Sequence, residues 1–415
     1  MIKNITLNQI KSDFIAALMV CIILVPQGLG YALLAGLPPQ VGIYASILPM
    51  FIYAFIGSSK TLSVGPVAVL SIMTMQALSG LAEPMSAHYI WLASLLAILT
   101  GLLLSLLAFL RLGRIFHLIS PAMLSGFMFG SIILVIYSQS KEIVHPADIK
   151  TLHIVLGVLS MLVLWFGRIW LEHRQQQQPK QALRYIQINS VLPLLLVCIT
   201  IAVLASAPNI KSQVFLVHMP TQLPSGLVFI SWDYFVQASL WHDILRLLPS
   251  AAIMAVVVYA SNLSMEQTLA KRRHETLNPQ RELWAAGLTN IVSGLACAYP
   301  VSGGFARSMV NFSSGAKSQW SSLFAGLLML ILLYTSLNSF SYLPTATLAA
   351  IVLVSAAQTL DFQQIPKLWH EHRSDFWVFT ITASLLVCAG IEIGLIAGLL
   401  TQQWFNISKK HAFFK

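Results

Sequence analysis

The stretch YPVSGGFARSMV, residues 299–310, separates two apolar runs and places one arginine between them. The run GLTNIVSGLACA precedes it and SSLFAGLLMLILLY follows soon after, and both are apolar enough for a lipid environment. Because Pro300 and the pair Gly303-Gly304 disfavour helix, the stretch predicts a few extended residues followed by a half-helix. Arg307 would then lie about one turn inside that half-helix.

A second interruption, TLSVGPVAVLSIMTMQAL at residues 61–78, carries Gly65-Pro66 near its start and has the same predicted form. Each interruption falls in the third span of its half of the chain. Seven spans followed by seven, with the second set entering from the opposite face, form an inverted repeat. Corresponding broken segments in the two halves of such a repeat are the best sequence pointer to a transporter site.

Hydrophobic residues make up 57% of the 415 residues and charged residues only 9%, against about 25% charged residues in soluble domains. The chain is therefore predicted to be an all-α integral membrane protein. The predicted spans are 14–34, 40–57, 66–80, 88–110, 118–138, 151–171, 189–207, 244–270, 282–297, 304–316, 319–337, 343–359, 375–390 and 392–406.

The basic residues predict the orientation of these fourteen spans. With a cytoplasmic amino terminus, the outer loops receive little more than Lys141, Lys150 and Lys211, and nearly all other Lys and Arg are cytoplasmic. The predicted divisions are a cytoplasmic amino terminus (1–13), a first repeat (14–207), an extracellular connection (208–243), a second repeat (244–406) and a cytoplasmic carboxyl terminus (407–415).

The remaining motifs exclude several classes of function. The sequence has no P-loop, no HExxH motif and no Gly-x-Ser-x-Gly elbow, so neither an ATP-driven pump nor a hydrolase is expected. The four cysteines lie in apolar segments without metal-ligand spacing, and we expect no enzyme activity, metal or cofactor. The net charge of +10 is scattered between apolar runs, which favours membrane topology over nucleic-acid binding.

The two half-helices would point the positive ends of their dipoles and unpaired N–H groups into one site, which suits an anion. Arg307 would add positive potential to that site, and the alternative is a buried ion pair with a carboxylate such as Glu266. In the first span, Gln27 and Tyr31 follow Pro26 and are expected to line the cavity; a kinked packing helix with a satisfied glutamine is the alternative. Ser63 and Ser302 would add hydroxyl donors, and Gly303 and Gly304 would admit a ligand close to the backbone.

The chain resembles the sulfate permease (SulP) family of anion transporters, solute carrier family 26. The resemblance is carried by DFIAALMVCIILVPQGLGYALLAGLPPQVGIYAS, by SSKTLSVGPVAVLS, by YLPTATLAAIVLVSA and by the long stretch from LNPQREL through YPVSGGFARSMVNF. It implies seven-plus-seven inverted repeats, a core domain (spans 1–4 and 8–11), a gate domain (spans 5–7 and 12–14) and alternating access. The anion site that the resemblance implies comprises Gln27, Tyr31, Val64, Gly65, Pro66, Val67, Ala68, Ser302, Gly303, Gly304, Phe305, Ala306 and Arg307. The candidate site also includes Ser63, for its hydroxyl, and Ser261, which occupies the position of the family's acidic residue in span 8.

The chain departs from the family pattern at two points. Proton-coupled members carry an acidic residue in span 8 where this chain has Ser261, which puts proton coupling through that position in doubt. Family members usually continue into a cytoplasmic STAS domain, and this chain stops at NISKKHAFFK, so either it is truncated or this member lacks the domain.

The sequence therefore predicts a secondary transporter of a small anion, with sulfate as the default and bicarbonate, chloride or a dicarboxylate as alternatives. An exchanger or channel-like conductor without proton coupling is a second hypothesis, and a nucleobase permease of the same fold is a weaker third because Arg307 replaces the acid it would need. The expected location is the plasma membrane, in particular a bacterial inner membrane. The sequence does not decide between a monomer and a homodimer.

Overall fold

The structure is a computed structural model that describes residues 6–111, 120–144, 150–177, 182–207, 212–217, 228–273, 277–335, 337–357, 360, 362 and 364–413, with gaps at 232, 234–235, 237–239 and 372. The described elements of the first half are α1 (Leu7–Leu34), α2 (Pro39–Ile56), β1 (Val64–Gly65), α3 (Ala68–Leu78), α4 (Ala87–Phe109), α5 (Pro121–Val144), α6 (Thr151–Gln177) and α7 (Ala182–Ser206). Those of the second half are α8 (Leu240–Arg273), α9 (Pro279–Leu295), β2 (Ser302–Gly303), α10 (Phe305–Ser313), α11 (Trp320–Thr335), a 3₁₀ helix (Leu337–Tyr342), α12 (Thr345–Ala357), α13 (Gln364–Glu371), α14 (Arg373–Ala389) and α15 (Ile391–Phe413).

The helix boundaries follow from local sequence. Thr6 and Gln9 form a reciprocal capping box at the start of α1, and Ser86 accepts a hydrogen bond from the Tyr89 N–H at the start of α4. Proline occupies the first position of α2 and of α9, where its missing N–H is not needed. Each of these elements therefore begins where the sequence supplies a capping side chain or a proline suited to the first turn.

All fourteen predicted spans coincide with helices, which confirms the all-α membrane fold. Seven of the described helices are long and apolar enough to cross a membrane, and α3, α11, α12 and part of α15 are shorter apolar helices. The short helix α13 was not predicted. Several boundaries differ: α1 begins at Leu7, α7 begins at Ala182, and α5 extends to Val144, so that Lys141 lies in its last turn and not in a loop.

The helices form two groups. In the first, α1 packs against α2 and α11, and α9 packs against α2 and α4, so that α1–α4 and α8–α11 form the predicted core. In the second, α5 packs against α12, α14 and α15, and α6 packs against α7 and α12, which forms the predicted gate. The groups meet mainly where α1 contacts α7 and α12 and where α3 contacts α5.

Two glycine-lined contacts hold the core together. A Cβ on Gly101 of α4 would lie 2.5 Å from the Ile291 nitrogen of α9, and one on Gly294 would lie 2.4 Å from the Ser94 oxygen. Between α1 and α2, a Cβ on Gly42 would lie 1.9 Å from the Gly28 oxygen. Such close backbone approach is typical of membrane helices, whose association depends on small residues and close packing.

Candidate functional site

The two extended segments pair with each other at the centre of the core. Val64 lies opposite Gly303 and Gly65 opposite Ser302 in a two-stranded antiparallel ladder. The Gly304 N–H extends this ladder by donating to the Ser63 carbonyl oxygen at 3.0 Å. The pairing satisfies backbone groups that would otherwise be orphaned at membrane depth. It also brings the starts of α3 and α10 together.

Both half-helices begin without a side-chain cap. Val67 precedes α3 and Gly304 precedes α10, and neither N-cap residue accepts a hydrogen bond through its side chain. The first N–H groups of a helix have no partner within the helix, and the aligned peptide dipoles add a partial positive charge there. Two adjacent uncapped amino-terminal ends form an anion-binding arrangement. The helices start slightly later than predicted, since Pro66 lies two residues before Ala68, the first residue of α3.

Arg307 lies between these two ends and is only 1% exposed. Its Nη1 donates to the Pro66 carbonyl oxygen at 2.8 Å and makes a longer contact of 3.4 Å with Oε1 of Gln27. Its Nε and Nη2 have no hydrogen-bond partner among the described residues. A buried charge with unpaired donors is costly, so these two nitrogens are the candidate donors to an anion.

The ion pair between Arg307 and Glu266, proposed above as an alternative, is not formed. Glu266 instead faces Glu282 and Tyr53, while Arg307 turns toward the Pro66 carbonyl oxygen. The geometry therefore leaves the guanidinium group facing the two helix ends.

A network of amides and hydroxyls fixes the second strand. Oδ1 of Asn262 accepts from the Ser302 hydroxyl and from the Gly303 N–H, both at 2.7 Å. The Ser261 hydroxyl lies 3.1 Å from that of Ser302. Asn290 of α9 both donates to the Val301 carbonyl oxygen and accepts from its N–H. Helices α8 and α9 thus hold the strand in place from two sides.

The structure brings most of the predicted site residues together around Arg307. Tyr31 interacts with Arg307 electrostatically, and Gly65 lies against the guanidinium group, because a Cβ there would be 3.4 Å from Nη2. The hydroxyl oxygen of Ser63 is buried with no partner among the described residues. Phe305 and Ala306, in the first turn of α10, are exposed.

A cavity between core and gate reaches this site. Gln27 and Ala306 line it from the core, and Asn189 and Ser190 of α7 and Ser355 of α12 line it from the gate. The sequence interpretation missed these three gate residues. Their signal was a polar side chain inside an otherwise apolar span.

A second cavity continues from the first along α10 toward the carboxyl end of α6. It shares Asn189 and Ser190 with the first cavity, and Arg168 and Glu172 of α6 also line it. Arg168 Nε and Glu172 Oε1 form an ion pair at 2.5 Å. The two cavities therefore connect the site to the end of α6 that the basic residues predict to be cytoplasmic.

The sequence profile of the Sulfate permease family matches residues 10–149 and 141–382. The chain belongs to this family. Among curated sulfate permease relatives, it is 33% identical over 403 residues to Sulfate transporter 4.1, chloroplastic, of Arabidopsis thaliana, covering 94% of this chain and 57% of that protein. It is 27% identical over 429 residues to the Sodium-independent sulfate anion transporter of Bos taurus, covering 96% of this chain and 70% of that protein. The chain thus spans little more than half of the Arabidopsis relative.

Solved structures share the fold of this sulfate permease chain. SLC26A9 matches with a TM-score of 0.83 at 20% identity, over 96% of this chain and 66% of that chain. The transmembrane domain of the cyanobacterium bicarbonate transporter BicA matches with a TM-score of 0.77 at 16% identity, over 95% of this chain and 98% of that one. At these identities the likeness shows the fold alone.

Proposed function

We propose that this chain is the transport unit of a secondary transporter that moves a small anion, with sulfate as the first candidate. The observation that carries the proposal is Arg307, a buried cation beside two uncapped helix ends, with two nitrogens that have no partner among the described residues. Names of sulfate permease relatives such as Sulfate transporter 4.1 support sulfate. Bicarbonate, chloride and dicarboxylates remain the alternatives.

The anion would be held by groups of the two broken segments beside Arg307. N–H groups of the first turns of α3 and α10 and the guanidinium group offset the loss of its hydration shell. The Ser63 hydroxyl has no partner among the described residues and is available to donate. The Ser302 hydroxyl already donates to Asn262, so its part is to position the strand. Gln27 and Tyr31 complete the wall of the site.

Transport would follow from movement of the core against the gate. The site lies within the core, and the cavity that reaches it is walled on the other side by α6, α7 and α12. A displacement of the core along that boundary would carry the anion to the other face. A site with few direct contacts releases its substrate more readily than a closed one, which suits turnover.

Uptake into proteoliposomes tests this function. Labelled sulfate, bicarbonate, chloride and fumarate would be offered, with and without proton and sodium gradients. Arg307→Ala should weaken binding of the transported anion by at least about tenfold, because a charge-assisted hydrogen bond is lost. The control is Arg246→Ala, which removes an exposed arginine of α8. Unchanged affinity in folded Arg307→Ala would overturn the assignment.

A channel-like or exchange function without proton coupling is the second candidate. It is favoured by Ser261, whose hydroxyl contacts Ser302 where a proton-coupled member would place a carboxylate. Saturable uptake against an imposed gradient supports the transporter, whereas a current linear in voltage without saturation supports the conductor.

We also propose the bacterial inner membrane as the location, with both termini in the cytoplasm. The concentration of Lys and Arg in the predicted cytoplasmic loops supports this orientation. Fluorescent or enzymatic reporters fused to each terminus would test it. A homodimer is compatible with this arrangement, and its test is the mass of the purified protein in detergent.

A further inference from the structure

A second buried polar cluster lies in the core, away from Arg307. At its centre is Glu282 in the first turn of α9, which is 2% exposed. Its Oε1 accepts from the Ser58 N–H, from the Ser58 hydroxyl at 2.5 Å and from the Ser59 N–H at 3.0 Å. Its Oε2 accepts from the Tyr53 hydroxyl at 3.0 Å. Four donors thus surround one carboxylate.

Glu266 lies beside this carboxylate and is fully buried. The polar groups that contact its carboxyl group are the Tyr53 hydroxyl, which already donates to Glu282, and the Glu282 carboxyl group itself. Among the described residues, the titratable groups that interact with it are Glu282 from α9, Tyr53 from α2 and Tyr259 from α8. Lys60 follows Ser59 in the same connection, and its side chain is exposed. Glu266 is therefore a buried carboxyl group that faces a second carboxyl group and a hydroxyl that this second carboxyl group already uses.

Two ionised carboxylates cannot share a buried site without a large cost, and such pairs hold one proton between them. The four donors around Glu282 occupy both of its oxygens. Glu266 faces this carboxylate and can give it a hydrogen bond only when Glu266 is protonated. We propose that Glu266 carries a proton that it shares with Glu282, and that loss and recovery of this proton accompany anion movement.

The positions of the two residues connect the proton to the anion site. Glu282 holds Ser58 and Ser59, and the chain runs from them directly into β1. Glu266 lies one helical turn after Asn262, the residue that holds β2. When the proton leaves, the negative charges of Glu266 and Glu282 repel each other. Glu282 is bonded to the residues that lead into β1, and Glu266 lies on the helix that holds β2, so the repulsion acts on both strands. The pair thus couples proton movement to anion transport, a role that Ser261 cannot fill. This inference rests on the proposed transport function.

The test uses the full chain in liposomes, with two readouts. Wild-type uptake of labelled sulfate should rise with an inward-directed proton gradient. For one titrating group, the uptake rate should change by at most about tenfold for each unit of external pH. Glu266→Gln, which mimics the protonated form, should remove that response. Glu83→Gln, at an exposed carboxylate in the α3–α4 connection, should keep it.

The second readout does not depend on transport. Infrared spectroscopy at neutral pH should show the carbonyl stretch of a protonated carboxyl group in the wild type. Glu266→Gln should lose this band, and Glu266→Asp should shift it. If no anion is transported, the proposed function fails while the band still decides where the proton lies. Absence of the band in the wild type, its persistence in Glu266→Gln, or uptake that follows sodium and not protons would overturn the inference.

Discussion

Gly304→Ala is the sharpest test of how Arg307 is positioned. The backbone of Gly304 has φ −94° and ψ 121°, a conformation that alanine adopts without strain. The added Cβ would lie 2.5 Å from Cζ of Arg307, 2.6 Å from Nη2 and 2.8 Å from Nη1. An effect on affinity must therefore arise from contact of the Cβ with the guanidinium group or with the anion, and not from backbone strain.

The size of the effect follows from these distances. Ordinary van der Waals contact of a Cβ begins at 3.4 Å, so the guanidinium group must move by about 0.9 Å. A shift of that size breaks the 2.8 Å hydrogen bond to Pro66 and moves the free nitrogens away from the helix ends. If the displaced guanidinium group loses one charge-assisted hydrogen bond to the anion, binding weakens by about 1.5–3 kcal/mol, or roughly 10- to 150-fold.

Equilibrium binding of the labelled transported anion to purified protein measures this effect. Gly167→Ala is the matched control, because a Cβ on this α6 glycine meets only the end of the Leu192 side chain, at 3.3 Å. The control should bind the anion like the wild type, and both variants should elute as folded protein. Wild-type affinity in Gly304→Ala would refute the argument that the guanidinium group over this helix end holds the anion.

Two further substitutions address the supports of the site. Asn262→Ala leaves the Gly303 N–H buried without its acceptor, so thermal unfolding in detergent should show a loss of about 1–3 kcal/mol; an unchanged melting curve would count against Asn262 as the support of β2. Ser261→Glu places a carboxylate next to Ser302. Because that group is ionised at high pH and repels an anion, affinity should fall as pH rises; a profile parallel to the wild type would show that residue 261 does not face the site.

The main features of the fold could be predicted because membrane spans have strong local signals. Long apolar runs identify spans, and Gly65-Pro66 and Gly303-Gly304 identify the two breaks. The sequence indicates less clearly how far a helix extends beyond its apolar run into the polar residues on either side. For this reason α7 was predicted to begin seven residues too late. Helix α13 has only eight residues and no apolar run long enough to be recognised.

The candidate site was predicted only in part, because contacts between distant segments leave no local signal. Arg307 stood out as a charge in an apolar region, but its hydrogen bond to Pro66 joins residues 241 positions apart. The same limit applies to Asn262, whose partners lie in β2. The pairing of Glu266 with Glu282, in place of Arg307, depends on how α8 is rotated, and no sequence pattern determines that rotation.

The pairing of β1 with β2 imposes an order on biogenesis. Val64 and Gly65 leave the ribosome well before Ser302 and Gly303, by roughly 10 to 50 s at about 5–20 residues per second. Throughout that interval the first break has no strand partner, and extended backbone is not stable against lipid tails. The nascent first half must therefore keep this segment shielded by the insertion machinery or by trapped water. Closure of the two-residue ladder would then be among the last events in making the protein.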